Sequence, residues 1–75
     1  MKELLTVLAK SLVDYPDSVD VRETEKEKTV VLELRVAEGD MGKVIGKKGR
    51  IAQSIRTVMQ AAANRENKRV VVEII

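Results

Sequence analysis

Gly46 and Gly49 bracket two lysines, and Arg50 follows at once, in the stretch 44-VIGKKGRIAQSIR-56. Glycines at both ends let a backbone turn sharply and approach a ligand with no Cβ in the way. Ile51 and Ile55 then recur at helical spacing, so a helix is expected to begin just after Gly49. No Ser, Thr, Asp or Asn stands where its N-cap belongs. Lys47, Lys48 and Arg50 instead put positive charge where the helix dipole is already positive. Unpaired N–H groups, two mobile ammonium groups and a planar guanidinium together make an anion site. The missing cap is expected to come from outside.

Other chemistries are excluded by residue type. The chain has no cysteine and no histidine, which removes disulfides, thiolate and imidazole catalysis, and the usual zinc sites. A phosphate-hydrolysing loop of the form G-x-x-x-x-G-K-[ST] also fails, because Gly42 and Gly46 are one residue too close and Lys48 replaces the Ser or Thr. Carboxylates are plentiful, but none falls in the glycine-rich segment. No enzyme activity, metal or cofactor is expected. The apolar runs are too short to span a bilayer and no signal peptide is evident, so no membrane association and a cytoplasmic location are expected.

Charge is distributed unevenly. Residues 41–65 carry six basic side chains and no acid, whereas the rest of the chain carries eight basic and twelve acidic ones. A basic segment on an acidic body favours an anionic partner, with nucleic acid foremost.

The elements that must hold this segment follow from periodicity. Leu4, Leu5, Leu8 and Leu12 mark an amphipathic helix over about 2–14, stopped by Pro16. Val19 and Val21 alternate with Asp20 and Arg22 as a first strand, and 23-ETEKEK-28 is expected to form a hairpin turn. In 29-TVVLELRV-36, Val30, Leu32, Leu34 and Val36 share one face of a second strand. Residues 38–40 are expected to turn, with Asp40 as N-cap of a short helix over 41–45. A longer helix over 50–64 presents Ile51, Ile55, Val58, Met59 and Ala62 as an apolar stripe, and 69-RVVVEII-75 is the last strand. The order is α-β-β-α-α-β. The hairpin strands should be antiparallel and the strands joined by the helical crossover parallel. An α+β fold results: one domain over residues 1–75, a three-stranded mixed sheet with three helices packed on one face.

This order, together with 41-MGKVIGKKGRIAQSI-55, resembles a KH domain of the type II arrangement. Gly46, Lys47, Lys48 and Gly49 match the family's GXXG loop, preceded by Val44 and Ile45. The segments 13-VDYPDSV-19, 40-DMGKVIGKKGR-50 and 68-KRVVVEI-74 are similar to the small single-domain bacterial KH proteins of the KhpA type. Tyr15 departs from that pattern, where a more polar aromatic such as histidine is expected.

The resemblance implies binding of single-stranded RNA, with the GXXG loop clamping the backbone of about four nucleotides. It implies an RNA chaperone or post-transcriptional regulator. It places Val44, Ile45, Ile51 and Ile55 on one wall of an apolar groove, with Val70 to Val72 near the other. Lys43 and Arg56 would flank it, and Gly42 would let the short helix approach closely. By helical spacing alone, Ile45, Ile51 and Ile55 suit a core and Val44 is partly exposed. Tyr15 is the only aromatic residue, so recognition by stacked aromatic platforms is not expected. The resemblance also implies a second use of the fold, as an assembly module. The partner would be a second copy, in a homodimer, or a KH protein of the KhpB or Jag type, in a heterodimer. Ala61, Ala62 and Ala63 would then permit close approach.

Overall fold

The computed structural model describes residues 1–46 and 49–75 in full. Helix α1, Lys2–Leu12, buries Leu5 and Ala9, four residues apart on one face. It ends short of residue 14 because Val13 is already extended ahead of a single 3₁₀ turn, Pro16–Ser18. Proline pushes the residue before it out of the helical region, so the chain cannot continue as a helix.

Strand β1, Asp20–Lys26, is longer than its sequence pattern suggests. Residues 23–26, expected as turn, pair antiparallel with β2, Thr29–Arg35, and Lys26 lies opposite Thr29. Only Glu27 and Lys28 remain to turn the hairpin, with Glu27 at φ 53. Only Val21 of β1 is buried, so most of the strand carries no apolar alternation. Cross-strand hydrogen bonding extends it, and that leaves no trace in a hydrophobic pattern. In β2, Val30, Leu32 and Leu34 are buried as their spacing requires.

The two helices expected over 41–45 and 50–64 form one run, α2, Glu38–Arg65. Straight, its 28 residues would extend about 42 Å, more than the molecule's longest dimension of 35 Å. The run bends at Gly49, whose φ of 67 lies outside the right-handed helical region. The arms before and after this bend, with α1, are the three helical segments of the fold. A Schellman motif ends α2: Lys68 N–H donates to the Ala63 carbonyl at 2.9 Å and Asn67 N–H to that of Asn64 at 3.2 Å. Asn67 takes the left-handed position at φ 56.

Strand β3, Arg69–Ile74, returns parallel to β2, with Val30 opposite Val70 and Leu32 opposite Val72. The strand order β1-β2-β3 makes β2 central and leaves β3 at an edge. The α+β architecture with a mixed sheet is thus the one the periodicities predict. Its core joins Leu5 and Ala9 of α1 to Val21, Val30, Leu32, Leu34 and Val72 of the sheet, closed by Val44, Ile55 and Met59 of α2. Each large apolar side chain buried here contributes about 1.5–3 kcal/mol.

Candidate nucleic-acid interface

Three or four residues apart on the second arm of α2, Ala52, Ile55, Met59 and Ala63 turn to the core. The neighbouring stripe, Gln53, Arg56, Thr57, Gln60, Ala61 and Asn64, is left outside and forms one wall of a groove. Arg69, Val70, Val71 and Val72 form the other wall, as expected for the valines. Among the described residues no carboxylate lines it. The stripe has helical spacing and was open to detection once the buried stripe was placed. Gln53, Thr57, Gln60 and Asn64 escaped because neutral polar side chains carry neither a charge nor a hydrophobic signal.

The edge of β3 faces this groove. Arg69 N–H donates to the Lys28 carbonyl at 2.7 Å and Ile75 N–H to that of Leu34 at 2.9 Å, so odd-numbered residues pair with β2. Even-numbered residues therefore turn their N–H and C=O groups outward. Two of these groups meet side chains of α2. Val70 N–H donates to Gln60 Oε1 at 3.4 Å, and Arg56 Nε donates to the Val72 carbonyl at 3.4 Å. Both bonds are long, and weak accordingly. A second Gln60 contact, Nε2 to Asn64 Oδ1 at 2.8 Å, holds the amide in place.

The bend lies at one end of the groove. Lys47 and Lys48 lie outside the described residues. Gly49 supplies the left-handed turn, Gly46 is half-buried, and Arg50 is exposed. A Cβ added at Gly46 would meet nothing within 4 Å, nor would one at Gly42, so the close helix approach expected at Gly42 is absent. The close approach is at Gly39, where a Cβ would come within 3.3 Å of the Tyr15 ring.

The apolar positions are partly reversed from expectation. Val44 is core at 1% exposure while Ile45 is half exposed. Ile51 is half-buried and Ile55 is core, so of the four expected wall residues only Ile45 and Ile51 reach the surface. The first arm is rotated by the bend at Gly49, and a single helical period drawn across both arms misplaces the first. In the second arm Val58, expected in the core stripe, is exposed.

Asp40 is not an N-cap. The cap position is Ala37, and the Asp40 carboxylate is fully buried, accepting the backbone N–H groups of Asp14 and Tyr15 at 3.0 Å each. Lys43 Nζ donates to Asp14 Oδ1 at 3.2 Å on the exposed side of that junction. An exposed pair of this kind is worth little and leaves the ammonium available.

At the other end, Lys68 Nζ lies 2.7 Å from Glu25 Oε2 and 3.8 Å from Glu66 Oε1. The hydrogen bond to Glu25 raises the Lys68 pKa above the ordinary lysine value against the cost of desolvation, and the charges of Glu25, Glu66 and Glu23 add to the rise.

A helix pair bent at glycine, packed on a three-stranded mixed sheet with a groove along the edge strand, can now be set beside known proteins. The family model described as KhpA/KhpB, KH domain, matches residues 2–74. The chain belongs to that family. Among KhpA/KhpB relatives, the RNA-binding protein KhpA of Clostridium acetobutylicum is 67% identical over 75 residues, all of both chains. That of Clostridium perfringens is 63% identical over the same span, again all of both chains. The one from Aquifex aeolicus is 52% identical, across 100% of this chain and 95% of its own. Among solved structures, Era in complex with MgGDPNP and nucleotides 1506–1542 of 16S ribosomal RNA matches with a TM-score of 0.62. At 23% identity, over 97% of this chain and 28% of that one, it supports the KH fold alone.

Proposed function

We propose that this chain binds single-stranded RNA without catalysis, as one KH domain over residues 1–75. The observation that carries this reading is the groove: acid-free, open along the β3 edge, and reached from a basic bend that needs glycine. The backbone of about four nucleotides sits at Gly46–Gly49, held by Lys47, Lys48 and Arg50 and by the N–H groups of the second arm of α2. Lys43 and Arg56 flank it, and Ile45 and Ile51 give the bases apolar contact. The outward N–H and C=O groups of Val70 and Val72 offer hydrogen bonds to base edges, with Gln60 and Arg56 moving aside. Val44 and Ile55 contribute by supporting the wall from beneath. Such contacts give modest affinity and weak sequence selectivity, suited to an RNA chaperone or post-transcriptional regulator in the bacterial cytoplasm. No helix among the described residues is long and apolar enough to cross a membrane.

A second reading, an assembly module forming a homodimer or a heterodimer with a KhpB or Jag-type protein, rests on one observation. Leu4 of α1 and Val58, Ala61 and Ala62 of α2 line an apolar cleft that adjoins the groove, Ala61 being common to both, with Leu4 and Val58 exposed. Ala63, by contrast, is core and takes no part.

Replacing Lys47 and Lys48 by Asp separates the two. RNA affinity, measured by fluorescence anisotropy, is expected to collapse while the oligomeric state, measured by sedimentation, is unchanged. Undiminished RNA binding by the variant overturns the site. Absence of binding by the unmodified protein to any RNA pool overturns the RNA reading in favour of assembly. For three or four phosphate contacts on a single strand, the log–log salt slope is expected at roughly −2 to −3.

A further inference from the structure

The groove does not stop at Asn64. It shares Gln60, Asn64 and Arg69 with a second opening, rimmed by the β1–β2 turn and the turn after α2, where Lys28, Asn67 and Lys68 join them. Among the described residues no carboxylate lines this opening either. Lys28 and Arg69 are 41 positions apart in the chain but adjacent in space, because Arg69 N–H donates to the Lys28 carbonyl at 2.7 Å. Of the acids in the two turns, Glu25 and Glu66 are engaged by Lys68, while Glu27, next to Lys28, lines a separate pocket with Thr24 and Val31 and not this opening. Among the described residues neither Lys28 nor Arg69 makes an ion pair, and both are exposed. Two cations that line one opening, with Glu25 and Glu66 held by Lys68 and amides at hand, match the chemistry of a phosphate diester.

We propose that Lys28 and Arg69 form a second phosphate subsite for single-stranded RNA, at the far end of the groove from Gly49. This rests on the RNA reading above. Gly49 and Asn64 lie fifteen positions apart on the helix, about 22 Å along the axis. A strand clamped at the glycine bend and lying along β3 is therefore carried past the first four nucleotides before it meets Lys28 and Arg69. The footprint is longer than the clamp, and long RNA makes about two phosphate contacts that short RNA lacks.

The test compares a pentanucleotide with a decanucleotide of the same base on the full chain, by anisotropy across a salt series. The decamer is expected to show a log–log slope steeper by about 1.4 than the pentamer, at 0.7 per phosphate. A Lys28→Gln variant is expected to leave pentamer binding unchanged, and in a Lys28→Gln/Arg69→Gln variant the loss is expected to be larger for the decamer than for the pentamer. Decamer affinity falls on the order of tenfold at 0.1 M salt, and the extra slope disappears. Because the variant retains the number of binding registers on the decamer, the loss reads the subsite and not statistics. Lys2→Gln/Lys10→Gln removes the same charge from α1 and is expected to leave the decamer slope intact. An equal drop there overturns the subsite in favour of a general field. A Lys28/Arg69 variant that binds the decamer like the unmodified protein overturns the subsite and leaves the RNA reading standing. No binding of either oligonucleotide by the unmodified protein overturns both. Independently of any variant's folding, NMR amide shifts at Lys28, Asn67 and Arg69 should move with the decamer and not the pentamer. Shifts absent with the decamer overturn the proposal.

Discussion

The buried carboxylate of Asp40 accepts the backbone N–H of Tyr15 at 3.0 Å, with its second oxygen on the N–H of Asp14. Through this pair of bonds the chain leaving α1 is tied to the first turn of α2. The Tyr15 ring then lies against Gly39, one residue earlier. The tie fixes the direction of the arm that leads to the glycine bend.

Asp40→Ala leaves two partly buried donors without an acceptor, at about 1–3 kcal/mol each. The expected loss is about 3 kcal/mol, a large share of the stability of so small a domain. Asp40→Asn keeps one acceptor and should lose roughly half as much. Urea denaturation measures both, and a midpoint equal to that of the unmodified protein in the alanine variant refutes the tie.

The two loop glycines separate structure from binding. Gly49 is left-handed, so Gly49→Ala should cost about 1–2 kcal/mol of stability. Gly46 has neither a positive φ nor any atom within 4 Å of an added Cβ. Gly46→Ala should leave the melting temperature unchanged or higher, since alanine is the better helix former by about 1 kcal/mol. Its RNA affinity should nonetheless fall, because the methyl group stands between backbone and phosphate. Normal RNA binding by a stable Gly46→Ala protein argues against close backbone contact at that position.

Val44 and Ile45 are neighbours with opposite duties. Val44→Ala opens a cavity under the first arm of α2 and should destabilise by about 1–3 kcal/mol. Ile45→Ala removes a half-exposed side chain and should stay within about 0.5 kcal/mol while weakening RNA several-fold. Thermal melting and anisotropy on the same two samples decide it. The reverse pattern means that the arm is turned the other way in solution.

Lys68 carries an alkaline dependence. Folding gives it Glu25 as a partner and so raises its pKa above the unfolded value. The resulting stability is fully present below the ordinary 10.5 and is lost as pH rises through the elevated folded value. Lys68→Met should therefore melt with a shallower decline than the unmodified protein once pH passes 10.5. Parallel melting curves across that range mean the pair contributes nothing.

Much of this was legible in the residues themselves. The alternation Val30, Leu32, Leu34 specifies both a strand and its buried face. The spacing of Leu4, Leu5, Leu8 and Leu12 specifies a helix, although the face it buries is that of Leu5 and Ala9 while Leu4 and Leu12 are exposed. The spacing of Ile55 and Met59 specifies another. Gly46 and Gly49 among lysines carry the expectation of an anion site, on which the proposed RNA contact rests. These signals are local, set by the period of the backbone and the conformational freedom of single residues.

What only the tertiary structure decided involves partners distant in the chain. Asp40 resembles a cap until Asp14 and Tyr15 arrive from 26 and 25 residues away. Residues 23–26 resemble a turn until β2 pairs with them, and Val44 and Ile45 exchange roles only because Gly49 bends α2. Lys28 and Arg69, unremarkable in a chain rich in both charges, become a pair only when β3 lies down beside β2. Periodicity determines which face of an element is apolar, whereas hydrogen bonds and charges between elements depend on which elements meet, and no local pattern encodes that.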